Sequence, residues 1–326
     1  MKHAQRYYSA GGEKDALLSN VALLYYGEGL TQGEIARRFK ISRATVVNML
    51  RECREKGIVE IQVDGALLAA STLSRDLCSR FGLEDVYVAS GEAAPSSSGR
   101  AENLPLVARV AAMAVLDIAE AGDRIGVAWG ETIAAMAKAM PRAPMNDIEV
   151  CQLIGSKDSD RVPASEICAI EVANKLDADC FTLHAPGIVS TVALAEAFRS
   201  EPTIRTQLAR LADLDLTIAS VGNVADDTHL VTAGMATPAA LRAARKAGSV
   251  GIYCCRYIDA KGNDMPLEPQ DRIIAASIDN LKAARKRLLV VCGADRLQAT
   301  RAAIEGGLVT HLVADQTLAS ALLAME

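Results

Sequence analysis

Glycines and small polar residues follow five segments of the chain that are rich in apolar and β-branched residues. The most suggestive sequence is Gly130-Glu131-Thr132, which leads directly into a helical pattern. Glycine allows a ligand to approach the backbone closely, and the N–H groups at a helix start favour an anion such as phosphate. These residue types are suited to holding a compact polar molecule by hydrogen bonds. The candidate residues are Trp129, Gly130, Glu131, Thr132, Gly155, Ser156, His184, Gly187, Gly222, Asn223 and Arg296.

Each of these residues also has a structural interpretation. A glycine after a strand is most often part of a turn, an isolated histidine such as His184 is more often structural, and Trp129 could fill the core. The functional interpretation depends on the repetition at five strand ends, because open parallel sheets bind ligands beyond the carboxyl ends of their strands.

A second set of candidate residues is basic and lies near the N-terminus. Residues 37–56 contain seven Lys or Arg residues and two Glu residues, a local charge of +5, whereas the whole chain has a net charge of −5. A local cationic patch on an acidic protein is typical of proteins that bind duplex DNA through its phosphates. The alternative is a solvated helical hairpin that serves only for packing.

The elements that carry these basic residues are predicted to form a helix-turn-helix. Thr31 and Glu34 have the spacing of a capping box, which starts a short helix, and Ser42 can cap a second helix. Gly57 is predicted to end the second helix, and residues 58–63 to form the strand of a wing. Four residues of the second helix fall on one apolar face, namely Val46, Met49, Leu50 and Cys53.

The outward face of the second helix and the turn before it supply the predicted DNA contacts. Base contacts are expected from Arg43, Thr45 and Asn48, and phosphate contacts from Gln32, Arg38, Lys40, Ser42 and Arg51. An asparagine can make a bidentate contact to adenine. We therefore expect Asn48 to contribute to base preference.

From Asp85 onward, short β-branched runs alternate with Ala-rich helical segments. This alternation predicts an α/β fold with a Rossmann-like parallel sheet that is covered by helices on both faces. The predicted strands are 86–89, 124–128, 148–154, 180–183, 216–221, 250–257, 288–292 and 309–313. Helices are predicted between them near 104–120, 131–140, 164–177, 191–199, 203–212, 238–246, 294–305 and 316–324, and a further helix at 15–26 precedes the helix-turn-helix. The Ser/Pro/Gly-rich stretch at 91–105 is predicted to form a surface loop. The predicted divisions of the chain are a flexible tail at 1–13, the helix-turn-helix domain at 14–64, a connecting helix at 65–84 and an effector-binding and oligomerisation domain at 85–326.

Composition limits the remaining classes of function. The sequence has no apolar run of 18 residues and no hydrophobic signal core at its start, so we expect a cytoplasmic protein without a membrane span. Its eight cysteines are scattered and its four histidines are widely spaced. The sequence therefore predicts no metal site, no cofactor and no catalytic residue, and it places Cys254 and Cys255 on opposite faces of a strand.

The order of these motifs resembles the SorC family of bacterial transcriptional regulators. The similarity runs from about residue 15 to the end of the chain. The stretches that carry it are YYGEGLTQGEIARRFKISRATVVNMLRECREKGIVEIQV, RIGVAWGETI, LHAPGIV, DLTIASVGNV, SVGIYCCRYIDAKG and GGLVTHLVADQTLASALL.

The resemblance implies a homodimer or homotetramer that binds operator DNA. It also implies a C-terminal domain similar to sugar-phosphate isomerases and deaminases, which binds a sugar, a polyol or a sugar phosphate as effector. By resemblance, the 130–132 turn would hold phosphate or hydroxyl groups, and Asp259 would help to complete the pocket. The chain departs from the family where Lys40 replaces a common glycine in the turn between the two helices, which places a non-glycine residue in a left-handed conformation. It also departs where Arg296 replaces a common lysine that could form a Schiff base.

The sequence thus predicts a regulator of a carbohydrate or polyol operon rather than an enzyme. Two alternatives remain open from the residues alone. One is an isomerase or deaminase with an appended DNA-binding domain, because carboxylates are available in the predicted loops, and the other is an oligomerisation module without an effector.

Overall fold

The computed structural model describes residues 11–59, 71–89, 100–156, 165–226, 228, 231, 234 and 236–325. Contacts within the chain divide it into two compact units, Met1–Gln62 and Val63–Glu326. The predicted wing strand at 58–63 and the first half of the connecting helix fall largely outside the described residues. None of the helices in the described part of the chain is both long and apolar enough to cross a bilayer.

Residues 11–59, the described part of the first unit, contain three helices. Helix α1 spans Gly11–Ala22 and continues into a π-helical turn at Leu23–Gly27, and it is followed by α2 at Gln32–Phe39 and α3 at Arg43–Glu55. The apolar faces of the three helices share one small core. The helix-turn-helix prediction is therefore confirmed, although α1 begins earlier than expected.

The second unit is built around a seven-stranded sheet in the order β1-β10-β9-β5-β2-β3-β4. All neighbouring strands in this sheet are parallel. Six of these strands are nearly continuous runs of buried residues, as expected for a sheet with both faces covered, whereas the edge strand β4 is partly exposed. Their bounds are β1 Asp85–Ala89, β2 Arg124–Val127, β3 Glu149–Gln152, β4 Asp179–Phe181, β5 Leu216–Ala219, β9 Lys286–Val291 and β10 His311–Asp315.

Helices connect the strands and supply the rest of the core. Their bounds are α4 Thr72–Phe81, α5 Arg100–Ile118, α6 Glu131–Ala139, α7 Ser165–Leu176, α8 Val192–Ser200, α9 Pro202–Arg210, α10 Pro238–Lys246, α11 Ile278–Ala283, α12 Leu297–Glu305 and α13 Gln316–Ala324. The predicted α/β class with a parallel sheet is confirmed. Helix α11 was not predicted from the sequence, and α5 begins inside the stretch that was predicted to be a surface loop.

The prediction of one strand at 250–257 was wrong. The segment forms two antiparallel strands, β7 at Gly251–Tyr253 and β8 at Arg256–Ile258, which join β6 at Val221–Gly222 in a separate three-stranded sheet. Cys254 and Cys255 form the turn between β7 and β8, with φ angles of 47° and 65°. A two-residue hairpin turn with both φ values positive is usually made by Asn or Gly. Buried cysteines therefore gave no turn signal.

Candidate nucleic-acid interface and ligand pocket

Helix α3 has one buried face and one exposed face. The side chains of Val46 and Cys53 are fully buried and those of Met49 and Leu50 are nearly so. On the other face, Val47 is 44% exposed, and Asn48 and Arg51 are exposed. The Cys53 thiol donates a hydrogen bond to the Leu18 carbonyl of α1 at 3.2 Å. The amphipathic pattern predicted from the sequence is therefore confirmed, and its polar side is open to a partner.

Two caps fix the ends of the helices that form the turn. Thr31 accepts a hydrogen bond from the Glu34 N–H, and Glu34 accepts one from the Thr31 N–H at 2.8 Å, which completes the predicted capping box. Glu34 also accepts a hydrogen bond from the Thr31 hydroxyl at 2.7 Å. This hydrogen bond, followed by the one from the Thr31 N–H, holds the pKa of Glu34 below its usual range. The Ser42 hydroxyl accepts from the Thr45 N–H at 3.0 Å, so Ser42 caps α3 as predicted.

The basic residues of the first unit divide into two groups. Lys56 forms ion pairs with Asp15 at 2.7 Å and with Glu52 at 3.2 Å, so it links α3 to α1. Arg51 lies between Asn48, to which it donates a hydrogen bond at 3.0 Å, and Glu55. Within residues 11–59, by contrast, the exposed Arg38, Lys40 and Arg43 are not ion-paired. These three cations are available to the phosphates or bases of a duplex.

Lys40 occupies the left-handed conformation that the sequence analysis anticipated, with φ 56° and ψ 42°. We expect the Lys40→Gly variant to stabilise the first unit by about 1 kcal/mol, because a non-glycine residue pays roughly that cost in this conformation. Its affinity for duplex DNA should fall, because a cation is removed. Thermal unfolding followed by circular dichroism, together with fluorescence anisotropy of labelled duplexes, measures both effects. The Lys40→Ala variant is the control: it loses the charge but keeps the strained conformation, and a similar stabilisation in both variants would contradict the strain.

The candidate ligand pocket lies at the carboxyl edge of the seven-stranded sheet. The chain continues from β2 to β3 and β4 on one side of the sheet, whereas from β5 it continues to β9 and β10 on the other. Such a switch point opens a crevice beyond the strand ends. The pocket found there is lined by Arg100, Ala128, Trp129, Gly130, Glu131, Thr132, Ile154, Ser220, Val221, Gly222, Ile252, Cys254, Cys255 and Arg296.

The start of α6 forms one wall of the pocket. Gly130 precedes the helix with φ 137° and provides no side-chain cap. Arg100 forms an ion pair with Glu131 and donates a hydrogen bond to the Thr132 hydroxyl at 3.2 Å. Glycine is the only residue type that adopts this backbone conformation, with φ near 137°, without strain. The start of α6 therefore lines the pocket together with Arg100, whose charge is neutralised by Glu131.

A second ion pair lies beside the first, because Arg100, Asp295 and Arg296 all have atoms near Gly293. Arg296 Nη1 lies 2.7 Å from both carboxylate oxygens of Asp295, and Asn223 donates to Asp295 at 2.7 Å. The Arg296 side chain is 12% exposed. Burial, followed by the nearby charge of Arg100, lowers the pKa of Arg296. The two arginines and the two carboxylates of these ion pairs balance each other in charge.

Six of the predicted effector residues line this pocket, and six do not. The residues in the lining are Trp129, Gly130, Glu131, Thr132, Gly222 and Arg296. Asn223 is not in the lining, but it donates a hydrogen bond to Asp295, which is the ion-pair partner of Arg296. Asp259 instead accepts hydrogen bonds from the N–H groups of Lys261 and Asn263, so its carboxylate forms a turn after β8.

The four remaining predicted residues form a separate contact between the segments that follow β3 and β4. The Ser156 N–H donates to the Ala185 carbonyl at 2.7 Å, and the Gly187 N–H donates to the Ser156 carbonyl at 2.9 Å. A Cβ atom on Gly155 would lie 2.5 Å from the Ala185 carbonyl oxygen. His184 contacts Thr182 at 3.2 Å. Gly155, Ser156 and Gly187 therefore have a packing role here.

Arg100 and the two cysteines of the pocket were not among the residues predicted from the sequence. Arg100 followed a Ser/Pro/Gly-rich stretch that favoured a loop, and the cysteines were assigned to a strand. Burial raises the pKa of the Cys255 thiol to about 12. The buried and protonated thiol is therefore suited to contact a ligand without forming a covalent bond. The described residues contain no group of three or more His, Cys, Asp or Glu side chains placed to hold a metal ion.

Comparisons with known protein families match both units. The Sugar-bind family model, which describes a sugar-binding domain, matches residues 66–324, and a MarR family model matches residues 21–66. The transcriptional regulator YjhU of Escherichia coli (strain K12) is 31% identical over 304 residues, which cover 93% of each chain. The deoxyribonucleoside regulator of Bacillus subtilis (strain 168) is 28% identical over 95% of this chain and 98% of its own.

A solved structure has the same architecture over nearly the whole chain. The full-length sorbitol operon regulator SorC from Klebsiella pneumoniae aligns with a TM-score of 0.69 and 22% identity, covering 95% of this chain and 99% of its own. At 22% identity, this alignment shows that the two folds are similar and nothing about function. The family model and the relative of nearly equal length carry the assignment further: the chain belongs to the SorC family of sugar-binding transcriptional regulators.

Proposed function

We propose that this chain regulates a carbohydrate or polyol utilisation operon as a cytoplasmic homodimer or homotetramer. Its first unit binds operator DNA, and its second unit binds a sugar, a polyol or a sugar phosphate as effector. The observation that carries this proposal is the presence, in one chain, of a helix-turn-helix with unpaired exposed cations and of a polar pocket at a sheet switch point. The Bacillus subtilis relative, which is named for deoxyribonucleosides, supports a small polar effector of this kind.

The DNA-binding step would use two copies of α3 in successive major grooves of a pseudo-palindromic operator. Thr45 and Asn48 would meet base edges together with Arg43, and the remaining candidates would meet phosphates. An effector that binds one arrangement of the oligomer more tightly shifts the population able to span both half-sites. A coupling free energy of about 1–3 kcal/mol would be sufficient to switch operator occupancy.

The experiment that tests this function uses the full-length chain and duplexes selected from a randomised pool. We expect sequence-selective binding whose affinity falls steeply with salt, because each phosphate contact releases counterions. A panel of sugars, polyols and their phosphates is then added to the complex, and at least one should change the affinity several-fold. Absence of selective binding would overturn the regulator function, and absence of any sugar effect would favour the oligomerisation module.

The balanced charges of the pocket favour an uncharged sugar or polyol over a sugar phosphate. Glu131 neutralises Arg100, and Asp295 neutralises Arg296. We expect the Glu131→Gln variant to bind sugar phosphates about tenfold more tightly than the unchanged chain does, because Arg100 would then be available for a charge-assisted hydrogen bond. Isothermal titration with matched pairs of a polyol and its phosphate measures this. The Glu102→Gln variant, on an exposed position of α5 outside the pocket lining, should show no such gain.

The alternative function, isomerisation or deamination of a sugar phosphate, needs a free general base close to the substrate. Both carboxylates at the pocket walls are held by arginines, and Asp226 is held by Arg242 and Arg245 at 2.7 and 2.8 Å. These ion pairs support a sensor over an enzyme. Measured exchange between ketose and aldose phosphates, abolished by Glu131→Gln, would support the enzyme instead.

A further inference from the structure

The first residue of the recognition helix α3 is oriented by the first residue of α2. Arg43 Nε donates a hydrogen bond to Gln32 Oε1 at 3.2 Å. Both side chains lie at helix starts on the outside of the first unit. In helix-turn-helix proteins the N-terminal residues of the recognition helix contact base edges. Arg43 is therefore in the position from which a side chain reaches the major groove.

This hydrogen bond leaves a defined set of donors on Arg43. The guanidinium group is planar and has five N–H donors, of which Gln32 occupies the one on Nε. The two terminal nitrogens remain and point away from Gln32 in the same plane. Such a pair of parallel donors matches the O6 and N7 acceptors of guanine, and no other base presents two adjacent acceptors in the major groove.

The partner of Arg43 orients the guanidinium group without neutralising it. Gln32 is uncharged, whereas Arg51 at the other end of α3 lies near the Glu55 carboxylate. The nearby Glu34 is engaged by the Thr31 N–H and hydroxyl at 2.8 and 2.7 Å. Within residues 11–59, no carboxylate is paired with Arg43, so its full charge remains available to DNA.

We propose that Gln32 is a positioning residue that directs Arg43 to a guanine in each half-site of the operator. The inference depends on the proposed DNA-binding function. It assigns to Gln32 a role that is exerted through Arg43, instead of the phosphate contact expected from the sequence. A direct phosphate contact would contribute equally on every sequence, whereas a positioning role contributes only where the guanine is present.

The test compares full-length variants on a duplex selected from a randomised pool by the unchanged chain. Each guanine of the duplex is replaced in turn by 7-deazaguanine, which lacks the N7 acceptor, and affinities are measured by fluorescence anisotropy. At one guanine per half-site we expect the unchanged chain to lose about tenfold in affinity. The Arg43→Ala variant should be insensitive to that replacement, and in Gln32→Ala the loss should fall to about threefold.

Two further variants separate positioning from phosphate binding. In Gln32→Glu the carboxylate can still accept from Arg43 Nε, so the tenfold sensitivity should return while overall affinity is lower. In Arg38→Ala, which removes a proposed phosphate contact, affinity should fall equally on both duplexes. The proposal is overturned if no guanine depends on Arg43, or if Gln32→Ala keeps the tenfold sensitivity. A chain that selects no duplex at all would overturn the proposed function together with it.

Discussion

An aspartate in place of Val46 is expected to unfold the first compact unit and to abolish DNA binding. The Val46 side chain is fully buried in the core that α1, α2 and α3 share. Burying an unpaired carboxylate there costs several kcal/mol. A unit of this size is stabilised by only about 3–9 kcal/mol, so the substitution removes most or all of its stability. Loss of the helix-turn-helix transition in a thermal melt, with loss of duplex binding, is the expected result.

The neighbouring position provides a matched control for this prediction. Val47 is 44% exposed on the outward face of the same helix. The Val47→Asp variant should fold with almost unchanged stability, and its duplex affinity should fall because a negative charge faces the phosphates. If both variants unfolded, or if Val46→Asp melted like the unchanged chain, the assignment of the buried face of α3 would be wrong.

The second large effect is expected at Gly262, in the turn after β8. Gly262 has φ 70°, and a Cβ atom there would overlap the Ala302 carbonyl oxygen and lie 2.7 Å from Gly306 Cα at the end of α12. All of these neighbours are backbone atoms, which cannot move aside as a side chain can. Backbone strain of about 1 kcal/mol and overpacking of about 1–3 kcal/mol should therefore add in the Gly262→Ala variant. We expect a fall of roughly 4–16 °C in the Tm of the second unit.

Gly307 separates the two contributions to this effect. It has nearly the same φ, 71°, but no atom lies within 4 Å of the position that its Cβ would occupy. The Gly307→Ala variant should lose only about 1 kcal/mol, or roughly 2–4 °C in Tm. Differential scanning calorimetry of both variants measures the difference. Equal losses would show that backbone conformation alone, and not the contact between the turn and α12, determines the cost at Gly262.

The helix-turn-helix could be predicted nearly completely because its determinants are local. The capping box places Thr31 and Glu34 three residues apart, and the buried face of α3 repeats at helical spacing. The left-handed turn was also anticipated at Lys40. What the sequence did not show is the hydrogen bond between Gln32 and Arg43, since two residues eleven positions apart meet only when both helices are packed.

The ligand pocket could be predicted only in part, because the signal for it is the same at every strand end. Neighbouring strands lie about 4.8 Å apart, so the edge of seven strands is roughly 29 Å long. A small pocket extends over only a few neighbouring strands. The order of the strands places the residues that follow β2 and β5 side by side, and it places β4, which His184 follows, at the edge of the sheet.

By itself, the sequence determined most of the helices and strands, the buried face of α3 and the strand ends at which polar residues collect. These follow from interactions between residues a few positions apart. Tertiary structure alone decided that Arg100 pairs with Glu131, that Cys254 and Cys255 turn a hairpin into the pocket, and that Gly262 contacts Gly306. Each of these contacts joins segments that are far apart in the sequence or separated by a turn. Their distance in space cannot be inferred from their separation along the chain, because packing of the whole sheet and its helices sets that distance.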